Sequence, residues 1–158
     1  MNPVRVDLDQ DLVAKIKGLT VTYGVEPQPG LLIPIPNRFP ENIYMVDITT
    51  SEFTSLCPLH TAQPDYATIG IEYTPGESLV ELKSLKLYLV SYRQCPVFHE
   101  EICNLILNDL VEAIEPLEMH IKGIFTTRGG LDTTVHSHYT RPLSPEEIEA
   151  YKRQVDVG

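Results

Sequence analysis

The feature that most constrains the fold is an amphipathic run near the middle of the chain, FHEEICNLILNDLVEAIE at residues 98–115. An apolar side chain recurs in it every four residues, at Ile102, Ile106, Leu110 and Ile114. That spacing predicts an α-helix with one apolar face, and the proline that follows the run ends it. Such a helix must bury its apolar face against a partner layer, which the other segments must supply.

Strand patterns flank the predicted helix on both sides. IYMVDITTSEFTS at residues 43–55 alternates in polarity, and ATIGIEY at residues 67–73 places four apolar or aromatic side chains on one face. A turn and then SLVEL, residues 78–82, predict another short strand. Residues 118–140 predict a hairpin that turns at its Gly-Gly pair.

Three shorter stretches complete the pattern. Residues 7–17 predict a short helix. SLKLYLVSYR, residues 84–93, matches a helix and a strand, and we favour a helix because Ser84 can serve as its N-cap. Ser144 and Glu147 have the spacing of a capping box and predict a last helix.

Prolines at positions 27, 29, 34, 36 and 40 disfavour helix and predict an extended arm that does not pack, with the core beginning near Ile43. The elements then predict an α+β fold, with two helices on one face of an antiparallel sheet. We therefore divide the chain into a helix and arm, residues 1–40, and one domain, residues 41–158. The uncovered sheet face predicts oligomerisation.

Charge and leader signals restrict partners and location. The chain has 12 basic and 22 acidic residues, and its net charge of −10 repels phosphate backbones. A small ligand or a protein is therefore a better partner than a nucleic acid. The first residues contain no apolar signal core, and the three cysteines are expected to be free thiols, so we predict a cytoplasmic protein.

The stretch FTSLCPLHTAQPD combines a cysteine with groups that can move protons. Cys57 follows a predicted strand, where Thr54 and Ser55 can donate hydrogen bonds to a thiolate or a developing anion. Asp65 is a candidate proton donor, and His60 is a further candidate acid or base. On their own, these residues equally fit a buried cysteine next to an ordinary loop.

Two glutamates suit recognition of a flat heterocycle. A carboxylate accepts two parallel hydrogen bonds, as the N–H edge of a guanine-like or pterin-like ring provides. Glu81 lies at the end of a predicted strand, and Glu100 lies beside His99 in the first turn of the long helix. The helix dipole alone would also explain Glu100.

Metal and cofactor signals are weaker. Cys57 and His60 have C-x-x-H spacing, and His136 and His138 share a strand face, but no second C-x-x-C or H-E-x-x-H accompanies them, so no metal site is predicted. Basic residues between positions 83 and 128 either form a patch for a phosphorylated cofactor or lie scattered on the surface. They are Lys83, Lys86, Arg93 and Arg128.

Taken together, FTSLCPLHTAQPDYATI, ELKSLKLY, FHEE and TTRGG resemble the single-module NADPH-dependent 7-cyano-7-deazaguanine reductases, the QueF family, from about Tyr23 to Tyr139. The resemblance implies a tunnelling fold (T-fold), rings of five subunits that pair into a decamer, and substrate pockets at subunit boundaries. It also implies reduction of the nitrile preQ0 to the primary amine preQ1 with NADPH, for queuosine in tRNA.

The resemblance further implies roles for individual residues. Cys57 would add to the nitrile carbon as a thioimide, and Asp65 would donate a proton. The deazaguanine edge would be bound by two segments: Val80, Glu81, Leu82, His99 and Glu100. NADPH would be bound by three basic residues: Lys83, Lys86 and Arg128. The common family spacing places the aspartate seven residues after the cysteine, whereas here Asp65 is eight residues after Cys57.

Two other functions stay open. A zinc-dependent tunnelling-fold enzyme of the GTP cyclohydrolase type would contain stoichiometric zinc and lose its activity to a chelator. A non-catalytic purine-binding or ring-forming protein would bind the heterocycle reversibly and leave Cys57 unmodified.

Overall fold

The computed structural model describes residues 9–155; residues 1–8 and 156–158, including the start of the helix predicted at 7–17, lie outside the described part. The elements are α1 (Gln10–Lys17), β1 (Pro34–Pro36), β2 (Val46–Leu56), β3 (Pro64–Thr74), β4 (Ser78–Val80), α2 (Leu82–Val90), α3 (His99–Ile114), β5 (Glu118–Phe125), β6 (Thr134–Thr140) and α4 (Pro145–Val155). None of the helices in the described part is both long and apolar enough to span a bilayer.

Four strands form the main antiparallel sheet, in the order β2, β3, β5, β6. The predicted alternation of β3 is confirmed, since its apolar face is at most 4% exposed: Ala67, Ile69, Ile71 and Tyr73. β5 and β6 form the predicted hairpin, and Gly129 and Gly130 in its turn have φ values of 56° and 76° that favour glycine.

The long helix α3 packs its apolar stripe against this sheet, with side chains at most 1% exposed: Ile102, Ile106, Leu110 and Ile114. Each buried aliphatic side chain contributes about 2 kcal/mol of transfer free energy. Together with α2, this helix completes the core, so the predicted α+β class is confirmed.

The helix predicted at residues 84–93 is confirmed, but its N-cap was wrong. Glu81 caps α2, because its carboxylate accepts hydrogen bonds from the N–H groups of Lys83 at 2.9 Å and Ser84 at 2.7 Å. A charged acceptor at the helix N-terminus is favoured by the helix dipole. The Ser84 hydroxyl is buried and accepts instead from the Ile33 N–H at 3.0 Å.

The proline-rich arm is extended, yet it packs. β1 pairs antiparallel with β4, and the residues just before it join the core, with Leu32 8% and Ile33 1% exposed. The expectation of an unpacked arm and of a core that begins near Ile43 was therefore wrong; Ile43 is 97% exposed. Prolines fix the backbone of the arm but leave the apolar side chains between them free to bury. A division of the chain at residue 40 stays a prediction.

The capping box predicted for the last helix is confirmed. The Ser144 N–H donates to Glu147 Oε2 at 2.7 Å, and the Glu147 N–H donates to Ser144 Oγ at 3.2 Å.

The sheet face opposite α2 and α3 carries mainly polar side chains: Asp47, Thr49, Thr68, Glu72, His120 and Lys122. Whether another subunit covers this face stays a prediction.

Candidate active site

The hairpin of β2 and β3 positions Cys57, the first residue after β2, and Asp65, the second residue of β3. The Cys57 N–H donates to the Gln63 carbonyl at 3.1 Å, and the Gln63 N–H donates to the His60 carbonyl at 2.8 Å. Ser55 lies directly opposite Asp65 in the strand register. Side chains alternate along a strand, so Ser55, Cys57 and Asp65 project from the same face. Leu56 pairs with Pro64, so the residues between them form the turn and lie outside the strand register that places Asp65.

The end of β2 also positions the start of α3. The Leu56 N–H donates to the Cys95 carbonyl at 3.0 Å, and the Val97 N–H donates to the Leu56 carbonyl at 3.1 Å. These two bonds form an isolated parallel bridge, which places His99 and Glu100, the first two residues of α3, beside the loop.

These segments line an open cavity of about 260 Å³. Its lining contains five of the residues that the resemblance singles out: Cys57, Asp65, His99, Glu100 and Arg128. The other lining residues are Pro58, Val97 and Phe98. The start of α3 borders the cavity, so the positive end of a helix dipole faces any anion that forms there.

Asp65 is the most constrained group in the cavity, with its side chain only 6% exposed. Its Oδ2 lies 3.3 Å from Nε2 of His99, and its Oδ1 accepts a hydrogen bond from Arg128 Nη2. Arg128 also donates to the Pro64 carbonyl at 2.9 Å. The His99 ring stacks on Phe125, with centroids 4.1 Å apart and planes 9° apart. The carboxyl group is therefore held between an imidazole and a guanidinium.

Among the three thiols, Cys57 alone lines the cavity, and it is half-buried. Burial raises the pKa of Cys95 to about 11 and that of Cys103 to about 11. Because the thiolate is the nucleophilic form, these two cysteines are unreactive near neutral pH. The geometry therefore leaves Cys57 as the candidate nucleophile.

The predicted heterocycle-binding residues are divided between two places. Glu100 lines the cavity, and its carboxylate accepts no hydrogen bond from the described residues, so it is available to a ligand. Val80 is 3% exposed, Glu81 caps α2 and Leu82 is 61% exposed; the cavity lining includes none of the three.

The three basic residues predicted for NADPH are not brought together. Lys83 Nζ donates to two carbonyls at the end of α1, at 3.1 and 3.4 Å, and Arg128 pairs with Asp65. Lys86 lines a separate groove of about 240 Å³ between α2 and β2, together with Arg93. An ammonium and a guanidinium beside an apolar groove suit the phosphates and rings of a dinucleotide, so these two residues fit NADPH.

Sequence reasoning overlooked two aromatic residues at the site. Phe98 lines the cavity, and the ring of Phe125 stacks against the ring of His99. The sequence does contain a signal for each, because Phe98 directly precedes His99 and Phe125 lies three residues before Arg128.

The fold is that of a tunnelling-fold protein, and the cavity beside Cys57 is its candidate site. A solved structure described as the archaeosine synthase QueF-Like in the apo form matches with a TM-score of 0.57 at 21% identity, over 63% of this chain and 96% of that one. At this identity the match supports the fold alone.

Sequence comparisons identify the family. The family model described as QueF-like protein matches residues 64–144. The NADPH-dependent 7-cyano-7-deazaguanine reductase of Exiguobacterium sibiricum is 50% identical over 134 residues, 85% of this chain and 82% of that protein. The reductase of the same name from Thermomicrobium roseum is 54% identical over 107 residues, 68% and 83% of the two chains. The chain belongs to the QueF family.

Proposed function

We propose that this chain reduces the nitrile of 7-cyano-7-deazaguanine (preQ0) to the primary amine preQ1 with NADPH, on the route to queuosine in tRNA. The observation that carries the proposal is that Cys57 and Asp65 line one cavity, beside His99 and Glu100. Relatives at 41% to 54% identity are named for this activity.

Covalent attack on the nitrile comes first. A nitrile is a weak electrophile. Addition of a thiol converts it to an adduct with a C=N double bond, which accepts hydride more readily, so the barrier to reduction is lower. The sulfur of Cys57 forms a bond to the nitrile carbon, one C–N π bond breaks, and the nitrogen takes up the proton that the thiol loses. The product is a thioimide at the same oxidation level as the nitrile.

Asp65 handles the proton in this step. Its carboxyl group lines the same cavity as Cys57, and its Oδ2 lies 3.3 Å from His99 Nε2. The carboxylate can therefore take the proton that the Cys57 thiol loses and give it to the nitrile nitrogen, directly or by exchange with the imidazole. When the carbon–sulfur bond later breaks, the same pair can return a proton to the Cys57 sulfur.

NADPH, when bound, supplies hydride, and reduction of a nitrile to an amine consumes two molecules of it. Lys86 and Arg93, beside the groove between α2 and β2, would bind its phosphates. The resemblance assigns Lys83 and Arg128 together with Lys86, but Lys83 is already engaged by carbonyl oxygens and Arg128 by Asp65. We therefore expect them to contribute less to cofactor affinity.

Glu100 would accept two N–H hydrogen bonds from the deazaguanine edge, with His99 beside it. Val80, Glu81 and Leu82 would serve the cavity of a neighbouring subunit, in a homo-oligomer expected to be a decamer of two pentamers. The 61% exposure of Leu82 supports this placement, because an exposed apolar side chain next to Glu81 favours a subunit contact.

We propose a cytoplasmic enzyme that does not bind nucleic acid itself.

The test is adduct formation without NADPH. Reduced protein mixed with 7-cyano-7-deazaguanine should gain the mass of one substrate and a new near-ultraviolet band. Cys57→Ala should form no adduct, and Asp65→Asn should form it much more slowly. Absence of an adduct in the wild type, or its formation in Cys57→Ala, contradicts the thioimide mechanism.

The same protein separates the two alternative functions. Stoichiometric zinc and activity that a chelator abolishes would identify an enzyme of the GTP cyclohydrolase type. Reversible binding of the heterocycle, with neither an adduct nor NADPH oxidation, would identify a non-catalytic binding protein.

A further inference from the structure

Three histidines lie together on the sheet face opposite α2 and α3, away from the Cys57 cavity. The strand register explains why. Glu72 of β3 pairs with His120 of β5, and His120 pairs with His138 of β6, which forms one row across three strands. His136 lies two residues before His138 and so points to the same face.

The three imidazoles lie close together as well as on one face. His120 Nε2 lies 2.9 Å from His136 Nδ1, and the rings of His120 and His138 stack with centroids 4.2 Å apart. One ring nitrogen from each histidine lies within 4.8 Å of the others. Around a tetrahedral ion with metal–nitrogen bonds of 2.0–2.1 Å, ligand atoms are about 3.4 Å apart. The three ring planes are within 9° of parallel, so the imidazoles must rotate about their side-chain bonds to direct these nitrogens at one ion.

Glu72 contacts His120 and favours one tautomer of its imidazole. Its Oε2 lies 3.2 Å from His120 Nδ1, which favours a proton on Nδ1 and leaves the lone pair of Nε2 directed towards His136. A carboxylate behind a ligating histidine is the usual second layer of a zinc site. Asp47, which pairs with Glu72 in the register, adds a negative charge to the same face, whereas Lys122, opposite His136, adds a positive one.

We propose that His120, His136 and His138 bind one divalent late transition metal ion, Zn²⁺ in the first place, with a fourth position open to water. Three imidazoles without an inner carboxylate select zinc, copper or nickel over magnesium or calcium. The cavity lining includes none of the three histidines, so this site is independent of the proposed reduction.

The site would act as a clamp on the sheet. β6 is an edge strand that pairs with β5. One ligand comes from β5 and two from β6, so a bound ion links the two strands through their side chains. An ion that binds the folded chain and not the unfolded one raises the midpoint of thermal unfolding.

The test is a calorimetric titration of Zn²⁺ into reduced, metal-free protein that carries no polyhistidine tag. We expect one ion per chain, a higher unfolding midpoint with Zn²⁺, and affinity lower by roughly a hundredfold in His136→Gln and His138→Gln. Loss of the carboxylate in Glu72→Gln should weaken binding by roughly tenfold. His60→Gln removes an exposed histidine outside the cluster and should bind like the wild type.

Two results would overturn the proposal. One is the absence of stoichiometric binding by wild-type protein that is folded by circular dichroism. The other is binding that persists in His136→Gln/His138→Gln but disappears in Cys57→Ala, which would place the ion at Cys57. Cobalt(II) gives an independent readout, because a bound thiolate adds a sulfur-to-metal charge-transfer band that a three-histidine site lacks. None of these measurements depends on turnover.

Discussion

The imidazole of His99 lies flat against the ring of Phe125, with centroids 4.1 Å apart and planes 9° apart. Phe125, at the end of β5, thereby orients a ring whose Nε2 lies 3.3 Å from Oδ2 of Asp65. The core of the sheet and the proposed proton-transfer pair are in direct contact.

Phe125→Leu should slow adduct formation with the nitrile by roughly tenfold or more, because His99 loses the surface that orients it. The unfolding free energy should fall by about 1 kcal/mol. Phe53→Leu is the matched control, since Phe53 is 3% exposed and packs on Tyr92 instead of His99. It should lose similar stability and keep the wild-type adduct rate; equal adduct rates in both variants would rule out this role for Phe125.

Arg128→Gln should slow adduct formation even without NADPH, because the guanidinium orients Asp65. It should also destabilise the fold by about 2 kcal/mol, since it leaves a buried carboxylate without its charged partner. Asp65→Asn in the same chain should recover much of that stability. A normal adduct rate with only a raised KM for NADPH would instead support the cofactor role that the resemblance assigns to Arg128.

Iodoacetamide should label one cysteine in the native protein near pH 8, and peptide mapping should identify it as Cys57. Cys95 and Cys103 have pKa values raised to about 11 by burial, so both are almost entirely in the thiol form at pH 8. Their labelling should increase only as the pH approaches 11 or as the chain unfolds. Rapid labelling of either one in folded protein at pH 8 would contradict the burial of these two thiols.

Two buried serines give a paired test of hydrogen bonding in the core. The Ser84 hydroxyl accepts from the N–H of Ile33, whereas the Ser55 hydroxyl has no hydrogen-bond partner within the described chain. Ser84→Ala should cost about 1–2 kcal/mol, because it leaves a buried N–H unpaired, and Ser55→Ala should cost nothing or stabilise slightly. Chemical unfolding curves measure both, and a larger loss in Ser55→Ala would mean that its hydroxyl is paired.

Local pattern was sufficient for the elements whose side-chain period is unambiguous. The stripe of α3, the alternation of β3 and the Gly-Gly turn before β6 were all predicted correctly, because each depends on residues a few positions apart. The arm was misjudged for a related reason. Prolines determine local backbone shape, but whether Leu32 and Ile33 are buried depends on β4 and α2, which lie far along the chain.

The residues of the candidate site could likewise be predicted from the sequence only in part. Cys57 and Asp65 are near one another in sequence; their chemistry made both candidates, and the motif resemblance assigned their roles. Motifs did not reveal that Arg128 pairs with Asp65 while Glu81 lies elsewhere, capping a helix.

What the sequence determined by itself is the class of the fold, the family and the identity of the candidate nucleophile. Only the tertiary structure decided which distant groups meet. Antiparallel register brings Glu72, His120 and His138 into one row, and the bridge from Leu56 to residues 95–97 places the start of α3 beside Cys57. Register and packing depend on the whole core, whereas a local pattern reports only the face on which a side chain lies.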